Sequence, residues 1–394
     1  MINTKDKAKC CGCGLCEKVC PKKAIHMAKD KCGFLYPVID TKKCVDCGIC
    51  DKYCPVLNHK NGEDLEHKAF AAYAKDDKVR FNGSSGGMFG LLAEHIINMG
   101  GIVYGAAFDQ ELKLKCMSAQ SIEQLEPLYK SKYLQSALGD SLPEVKKQLQ
   151  NGKTVLFVST PCQIFALKQF LKKEYPNLIL VDFVCHGVPS QDLFDKCKNF
   201  VEEQKGIKIL EYQFRAKIKH GATPHYYKIK YIKNGKIREK TSLYFNSPFY
   251  YGFEKYITLR DSCYDCQFAT TNRVSDITIS DFHNIDNYIS GINRFDGVST
   301  VITNSKKGFE IWKEVSKNCN VHEVDFKTLY ENKEMMCGST KKPNGRETFI
   351  NDLETKPFEY VVKTHLNGQK EFVKKLYYAL PNFIRKNLKR LLNL

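Results

Sequence analysis

The rhythm of hydrophobic and polar positions changes along the chain. Up to about residue 58 the apolar pieces are short, Ala24-Ile25 and Leu35 to Ile39, too little to build a core unaided. From Lys68 to about residue 330, apolar runs of strand length alternate with stretches of helical period, the pattern of an α/β domain. Strands are predicted over 102–108, 154–159, 178–184 and 276–280, and helices over 88–99, 143–150, 163–172 and 191–203. Residues 211–251 alternate aromatic and basic side chains around Asn234-Gly235, which reads as a β-hairpin. The tail from Lys370 carries seven Lys or Arg against one acidic residue, with Phe372, Leu376, Leu380, Phe383, Ile384, Leu388 and Leu391 at helical spacing around Pro381. Such a helix docks on the core or lies on an anionic membrane face.

The expected layout is a cysteine-dense module over 1–58, a polar linker over 59–67, a main domain over 68–330 and a C-terminal extension over 331–394 with the basic amphipathic helix. The predicted fold class is an α/β main domain, a mixed sheet with flanking helices, preceded by a small α+β domain.

Composition narrows the class. A hydrophobic fraction of 43% and a charged fraction of 27% are those of an ordinary globular protein. No stretch approaches the roughly 18 uncharged apolar residues that span a bilayer. Met1 to Lys9 is polar and lysine-rich with no apolar signal region, so the cytoplasm is the expected compartment, with peripheral contact at the inner membrane face through the tail as a variant. The net charge of +17 is dispersed and no nucleic-acid-reading motif accompanies it, so no nucleic-acid partner is expected. Acidic electron carriers and a dinucleotide are better matched anions.

Ten of the eighteen cysteines lie between Cys10 and Cys54, a distribution that speaks for metal rather than disulfides. Cys10, Cys13, Cys16 and Cys20-Pro21 form C-x2-C-x2-C-x3-C-P, and Cys44, Cys47, Cys50 and Cys54-Pro55 repeat it. This is the two-cluster ferredoxin spacing, in which the fourth cysteine of each run serves the other cluster. Cys10, Cys13, Cys16 and Cys54 are therefore expected to hold one 4Fe-4S cluster, and Cys44, Cys47, Cys50 and Cys20 the second. The rival, a pair of zinc knuckles, needs only two close cysteine pairs and leaves the third close cysteine and the Cys-Pro ending unexplained. Cys11 and Cys32 fall outside the pattern, and Cys11 reads as a bystander.

A second cysteine set is more dispersed. Two predicted parallel strands run into Thr160-Pro161-Cys162-Gln163 and Cys185-His186-Gly187, and ligands in open α/β sheets gather at such carboxyl ends. Cys263 and Cys266 add a C-x2-C pair. Either these four meet around a third cluster, or Cys162 and Cys185 are small buried hydrophobes and the pair is a redox dithiol. Cys116, Cys197, Cys319 and Cys337 stand alone. Ser84-Ser85-Gly86-Gly87 precedes the helix predicted from Met88, where backbone amides favour a phosphate, although a simple N-cap reads equally well. Lys130-Ser131-Lys132-Tyr133 offers cations, hydroxyls and an aromatic face, or a solvated loop.

Taken in order, these motifs, with Ser275-Asp276-Ile277-Thr278-Ile279-Ser280-Asp281-Phe282, resemble the coenzyme F420 hydrogenase/dehydrogenase beta-subunit family in the form that carries an N-terminal two-cluster ferredoxin domain. The resemblance covers residues 10 to about 300. It implies an FAD on the α/β domain, contacted by Ser84, Ser85, Gly86, Gly87, Lys130, Ser131, Lys132 and Tyr133. It also favours Cys162, Cys185, Cys263 and Cys266 as ligands of a third 4Fe-4S cluster. Ser280 stands where the family has Gly.

The implied activity couples two-electron flavin chemistry to one-electron transfer through clusters. The expected partners are an electron carrier such as ferredoxin, or coenzyme F420, with a small-molecule or sugar-type substrate of surface-polysaccharide synthesis as a further version. A non-catalytic relay subunit of a larger redox complex is the alternative. No catalytic residue is assigned; His186, beside Cys185, could protonate flavin or substrate, but it reads better as a core histidine or one that supports a ligand.

Overall fold

The computed structural model describes residues 2, 6–60, 67–218, 226–283, 285, 289, 291–292, 296–331, 338–368, 380 and 384. Cys337, most of the linker and most of the basic tail lie outside them.

The N-terminal module has one short helix in each cysteine run, Leu15–Val19 and Ile49–Tyr53. Between them lies an antiparallel hairpin of β1 (Ile25–Lys29) and β2 (Leu35–Ile39). The main domain is built on β3 (Lys68–Ala74), β4 (Ile102–Phe108), β5 (Leu114–Ala119), β6 (Val155–Ser159) and β7 (Leu178–Phe183). Three further strands, β8 (Lys208–Gln213), β9 (Tyr226–Lys233) and β10 (Lys236–Leu243), form a separate antiparallel sheet. The main sheet is completed by β11 (Ile277–Asp281), β12 (Ser299–Thr303) and β13 (Cys319–Val324). Its eight strands run in the order β13-β3-β12-β11-β7-β6-β4-β5. The centre, β4 with β6, β6 with β7 and β7 with β11, is parallel, and the flanks are antiparallel.

The two faces follow the period of two that strands impose. Val103, Leu156, Ile179 and Val181 pack on one side with helices Met88–Asn98 and Lys306–Ser316. Ile102, Tyr104, Val155, Phe157, Leu178 and Leu180 pack on the other with helices Ser141–Gln150 and Pro161–Leu171. A second core, rich in aromatics, joins helix Gln191–Lys205 and the small sheet to Phe249, Tyr250 and Phe253. Helices Arg346–Thr355 and Phe358–His365, which the sequence assigns to an extension, deliver Phe349, Val361 and Val362 to that same core.

The predicted strands and helices of the main domain are present with ends shifted by up to about two residues. The predicted hairpin is shorter than 211–251: it ends at Leu243, and β8 adds a third strand. Past that point Ser247 accepts a hydrogen bond from the Tyr250 amide (3.3 Å) and Pro248 opens helix Pro248–Glu254, so local capping overrides the alternating pattern. No described helix is long and apolar enough to cross a membrane.

The ferredoxin-like module is seated on the main domain. Leu15 is fully buried in the core beneath the sheet. Ser190 Oγ donates to the Cys32 carbonyl (2.6 Å), Gln135 Nε2 to the Cys11 carbonyl (2.9 Å) and Gln267 Nε2 to the Val56 carbonyl (2.9 Å). These backbone contacts order a module that has little core of its own.

Candidate functional site

In the N-terminal module, Cys20, Cys44, Cys47 and Cys50 line one cavity with Ile25, Ile39 and Ile49. The fourth cysteine of the first run thus lies with the first three of the second. On the other side, the Cys16 thiol is pushed up to about 12 by burial and by the nearby Cys10, Cys54 and Cys50, and Cys54 in turn is raised by burial and by Cys10, so Cys54 lies close to the first run. Helices Leu15–Val19 and Ile49–Tyr53 each follow a glycine of left-handed φ, Gly14 at 72° and Gly48 at 69°, which turns the chain sharply between consecutive cysteines.

The second cysteine set is also drawn together. The parallel strands β6 and β7 end side by side, with Ser159 opposite Asp182, and their continuations carry Cys162 and Cys185 to the carboxyl edge of the sheet. The turn Asp261–Cys263 brings Cys263 and Cys266 against them. All four line one cavity of about 60 Å³ with Thr160, Gln163, Arg260 and Arg273. Burial raises the Cys263 thiol well above its ordinary range, reinforced by Cys185 and Cys266. Burial and Cys162 push Cys185 up to about 12 and Cys266 up to about 11. Gly187 explains the glycine after Cys185-His186: its φ is +108°, and a Cβ there would sit 2.9 Å from Cys263 Cβ. His186 stacks on Tyr256 with ring centroids 6.1 Å apart, and its carbonyl accepts from Thr340 Oγ1 at 2.6 Å.

Cys11, a bystander by spacing, lines this same cavity and is in hydrogen-bonding contact with both Cys13 and Cys162. It marks the seam where the ferredoxin-like module meets the second cysteine set. No sequence signal distinguishes it, because its neighbour Cys162 is remote in the chain. Cys197 and Cys319 are buried among apolar side chains.

The Gly/Ser stretch and the Lys130–Tyr133 stretch meet. Ser131 donates to Ser84 Oγ from its amide (2.7 Å) and its hydroxyl (3.0 Å). Two residues missed by sequence reasoning complete this nest, Arg215 and Lys217. Arg215 donates to the Ser84 carbonyl (2.9 Å), to Tyr133 Oη (3.0 Å) and to both carboxylate oxygens of Asp281 (2.7 and 3.1 Å). Lys217 Nζ donates to the carbonyls of Arg80, Ser85 and Asp296. Their spacing of two, in Phe214-Arg215-Ala216-Lys217, was the available signal.

Gly86 and Gly87 serve packing. The Gly86 amide donates to Ser299 Oγ (2.9 Å), and a Cβ on Gly86 would lie 2.4 Å from the Ala72 carbonyl oxygen. Lys132 turns away from the nest to the Pro127 and Tyr129 carbonyls (2.8 and 2.7 Å). Tyr133 stacks on Phe253 with centroids 4.4 Å apart.

Among the described residues, positive charge exceeds negative in this nest. Burial would raise Asp281, but the Arg215 guanidinium holds it well below the usual carboxylate range. Burial, then Arg215 and Lys228, pulls Lys130 down to about 8. Burial, then Lys130, Arg215 and Arg80, pulls Lys217 down to about 7. A site that depresses its own lysines is one that an anion would relieve.

Fold and sites thus define the class, an iron–sulfur protein whose two-cluster ferredoxin module is docked on a mixed α/β domain. Residues 9–58 match the 4Fe-4S dicluster domain, and residues 152–328 match the family described as the C terminus of the coenzyme F420 hydrogenase/dehydrogenase beta subunit. The chain thus carries a domain of the coenzyme F420 hydrogenase/dehydrogenase beta-subunit family behind an N-terminal dicluster domain, and is an iron–sulfur electron-transfer protein of oxidoreductase type related to that beta subunit. Among solved structures, a chain of the F420-reducing [NiFe] hydrogenase complex from Methanosarcina barkeri is similar at 16% identity and a TM-score of 0.42, over 79% of this chain and 92% of that one. No curated protein matches. The dicluster match decides between clusters and zinc knuckles in favour of clusters.

Proposed function

We propose that this chain is an iron–sulfur flavoprotein oxidoreductase that couples two-electron chemistry at a flavin to one-electron transfer through three 4Fe-4S clusters. The observation that carries the reading is the convergence of Cys162, Cys185, Cys263 and Cys266, from three segments of the main domain, beside the ferredoxin-like module. Four thiols and no histidine are a donor set suited to a cubane. When bound, the flavin would exchange electron pairs and the clusters single electrons.

The chain's own residues have definable parts in this reading. Ser84, Ser131, Lys130, Arg215 and Lys217 would hold the cofactor's diphosphate by charge and hydrogen bonds. Asp281 keeps the Arg215 fork aimed, and Tyr133, backed by Phe253, supplies an aromatic face. The four thiols of the second set must lose their protons to act as ligands, which their burial opposes until iron is present.

For partners, the reading favours an acidic electron carrier such as ferredoxin at the outer cluster. There Val45 and Cys47 are exposed, Lys22 lines the same cavity, and the exposed Lys42 and Lys43 lie just before them in the chain. Coenzyme F420 or a sugar-type organic molecule would exchange electrons at the flavin.

Anaerobic purification with iron, sulfide and flavin assays tests the whole reading. About twelve irons and one flavin per chain are expected, against about eight irons if the second cysteine set is structural. Clusters without flavin would favour the relay subunit. Reoxidation of the reduced flavin by F420, ferredoxin or nucleotide sugars, each mixed in turn, identifies the partner.

A further inference from the structure

Arg260 is a buried cation at the seam between the ferredoxin-like module and the second cysteine set, only 1% exposed. Its side chain donates from Nε to the Cys10 carbonyl (2.8 Å), from Nη1 to Gln135 Oε1 (3.1 Å) and from Nη2 to the Leu35 carbonyl (2.8 Å). Nη2 also lies 3.8 Å from Cys10 Sγ. The guanidinium sits over the Tyr36 ring, 4.1 Å from its centroid. Gly12, between Cys10 and Cys13, leaves room for it, since a Cβ there would lie 2.5 Å from Arg260 Nη1.

The same residue faces the other way through its backbone. Its amide donates to the Val188 carbonyl (2.9 Å), just past Cys185, and its carbonyl accepts from the Cys263 amide (2.9 Å). Arg260 lines the cavity of the second cysteine set, and its charge lowers the Cys162 thiol against the stronger opposing effects of Cys11 and burial.

Among the described residues its acceptors are neutral oxygens and a sulfur. The adjacent carboxylate, Asp261, pairs with Arg346 instead (3.3 Å). The other arginine of the cavity, Arg273, has Asp182 as its partner (3.3 Å). A buried guanidinium without a carboxylate is costly unless another anion balances it. The acidic groups that bear on Arg260 are the Tyr36 hydroxyl, which burial keeps protonated, and the sulfurs of Cys10, Cys11 and Cys263, which carry negative charge only as thiolates.

We propose that Arg260 is a positioning residue whose charge is balanced by the clusters on either side of it, and that it raises the reduction potential of the cluster held through Cys10. The reduced form of a cluster carries the more negative charge, so a fixed cation beside it favours reduction. The proposal rests on the cluster reading above and goes beyond it by naming the residue that sets the potential at the junction.

The test is a dithionite titration of the anaerobic full-length protein followed by electron paramagnetic resonance, with iron and sulfide counted in parallel. With Arg260→Gln, the iron count is retained and one cluster signal moves to a more negative potential. With Arg260→Lys, which keeps the charge and loses the planar fork, the same signal moves less. Full iron with unmoved potentials overturns the proposal alone. An equal shift in both variants assigns the effect to geometry and overturns the role of charge. Should Arg260→Gln lose iron, Gln135→Glu decides, because it sets a carboxylate against Nη1 and neutralises the guanidinium in place: a shift of one signal to more negative potential supports the role, and none refutes it. Wild-type protein without iron and sulfide overturns the cluster reading and this proposal with it.

Discussion

Lys130 and Lys217 are the residues whose ionisation the nest around Ser84 controls most directly. With the site free they titrate at about 8 and about 7, below the ordinary lysine range, chiefly because of burial. An anion between them favours their charged forms, so binding takes up protons and affinity falls as pH rises above about 7. Flavin retained after gel filtration should therefore decrease from about pH 7 to about pH 9, and Lys217→Ala should lower retention at the acid end and flatten the profile. A profile unchanged by the substitution would remove Lys217 from the site. The same lysines affect the free protein with a definite sign. Their folded pKa values are depressed, so protonation favours the unfolded chain, and this destabilisation grows as pH falls from about 10 towards about 7.

At the scale of elements, the second cysteine set depends on how strand ends and turns approach one another. The cavity exists because β6 and β7 are parallel neighbours and the turn Asp261–Cys263 packs against Gly187. Gly187→Ala puts a Cβ into left-handed backbone, 2.8 Å from Leu259 Cδ1 and 2.9 Å from Cys263 Cβ. It should cost about four irons per chain while leaving the ferredoxin-like module loaded. An unchanged iron count would detach Cys263 from the site. The strand-end cysteines were legible in the sequence because Val155–Ser159 and Leu178–Phe183 are continuous apolar runs, typical of strands buried on both faces. Strands β3, β5, β12 and β13 were not predicted. β3 is rich in alanine, which has low strand propensity, and β5 and β13 mix polar with apolar residues.

Across the whole molecule, two kinds of stability coexist. The main sheet has apolar cores on both faces, whereas the ferredoxin-like module contributes Leu15, Cys32, Phe34 and Tyr36 to cores shared with or lying against the main domain. Binding energy of a cluster is folding energy for such a module. Removing iron with a chelator should abolish hydrogen-exchange protection in residues 10–58 while β4, β6 and β7 keep theirs. Equal loss in both would mean that module and sheet unfold as one unit.

By itself the sequence determined the eight N-terminal cysteines as a ligand pattern, since their spacing is local and one short helix per run suffices to present them. It also determined the central parallel strands, whose apolar runs admit little else. Only the tertiary structure decided that Cys11 faces Cys162, that Arg215 and Lys217 join Ser84 and Ser131, and that Arg260 stands between two cysteine sets. Each of these contacts joins residues far apart in the chain, and such proximity is created by packing of the sheet and docking of the module rather than by any local preference.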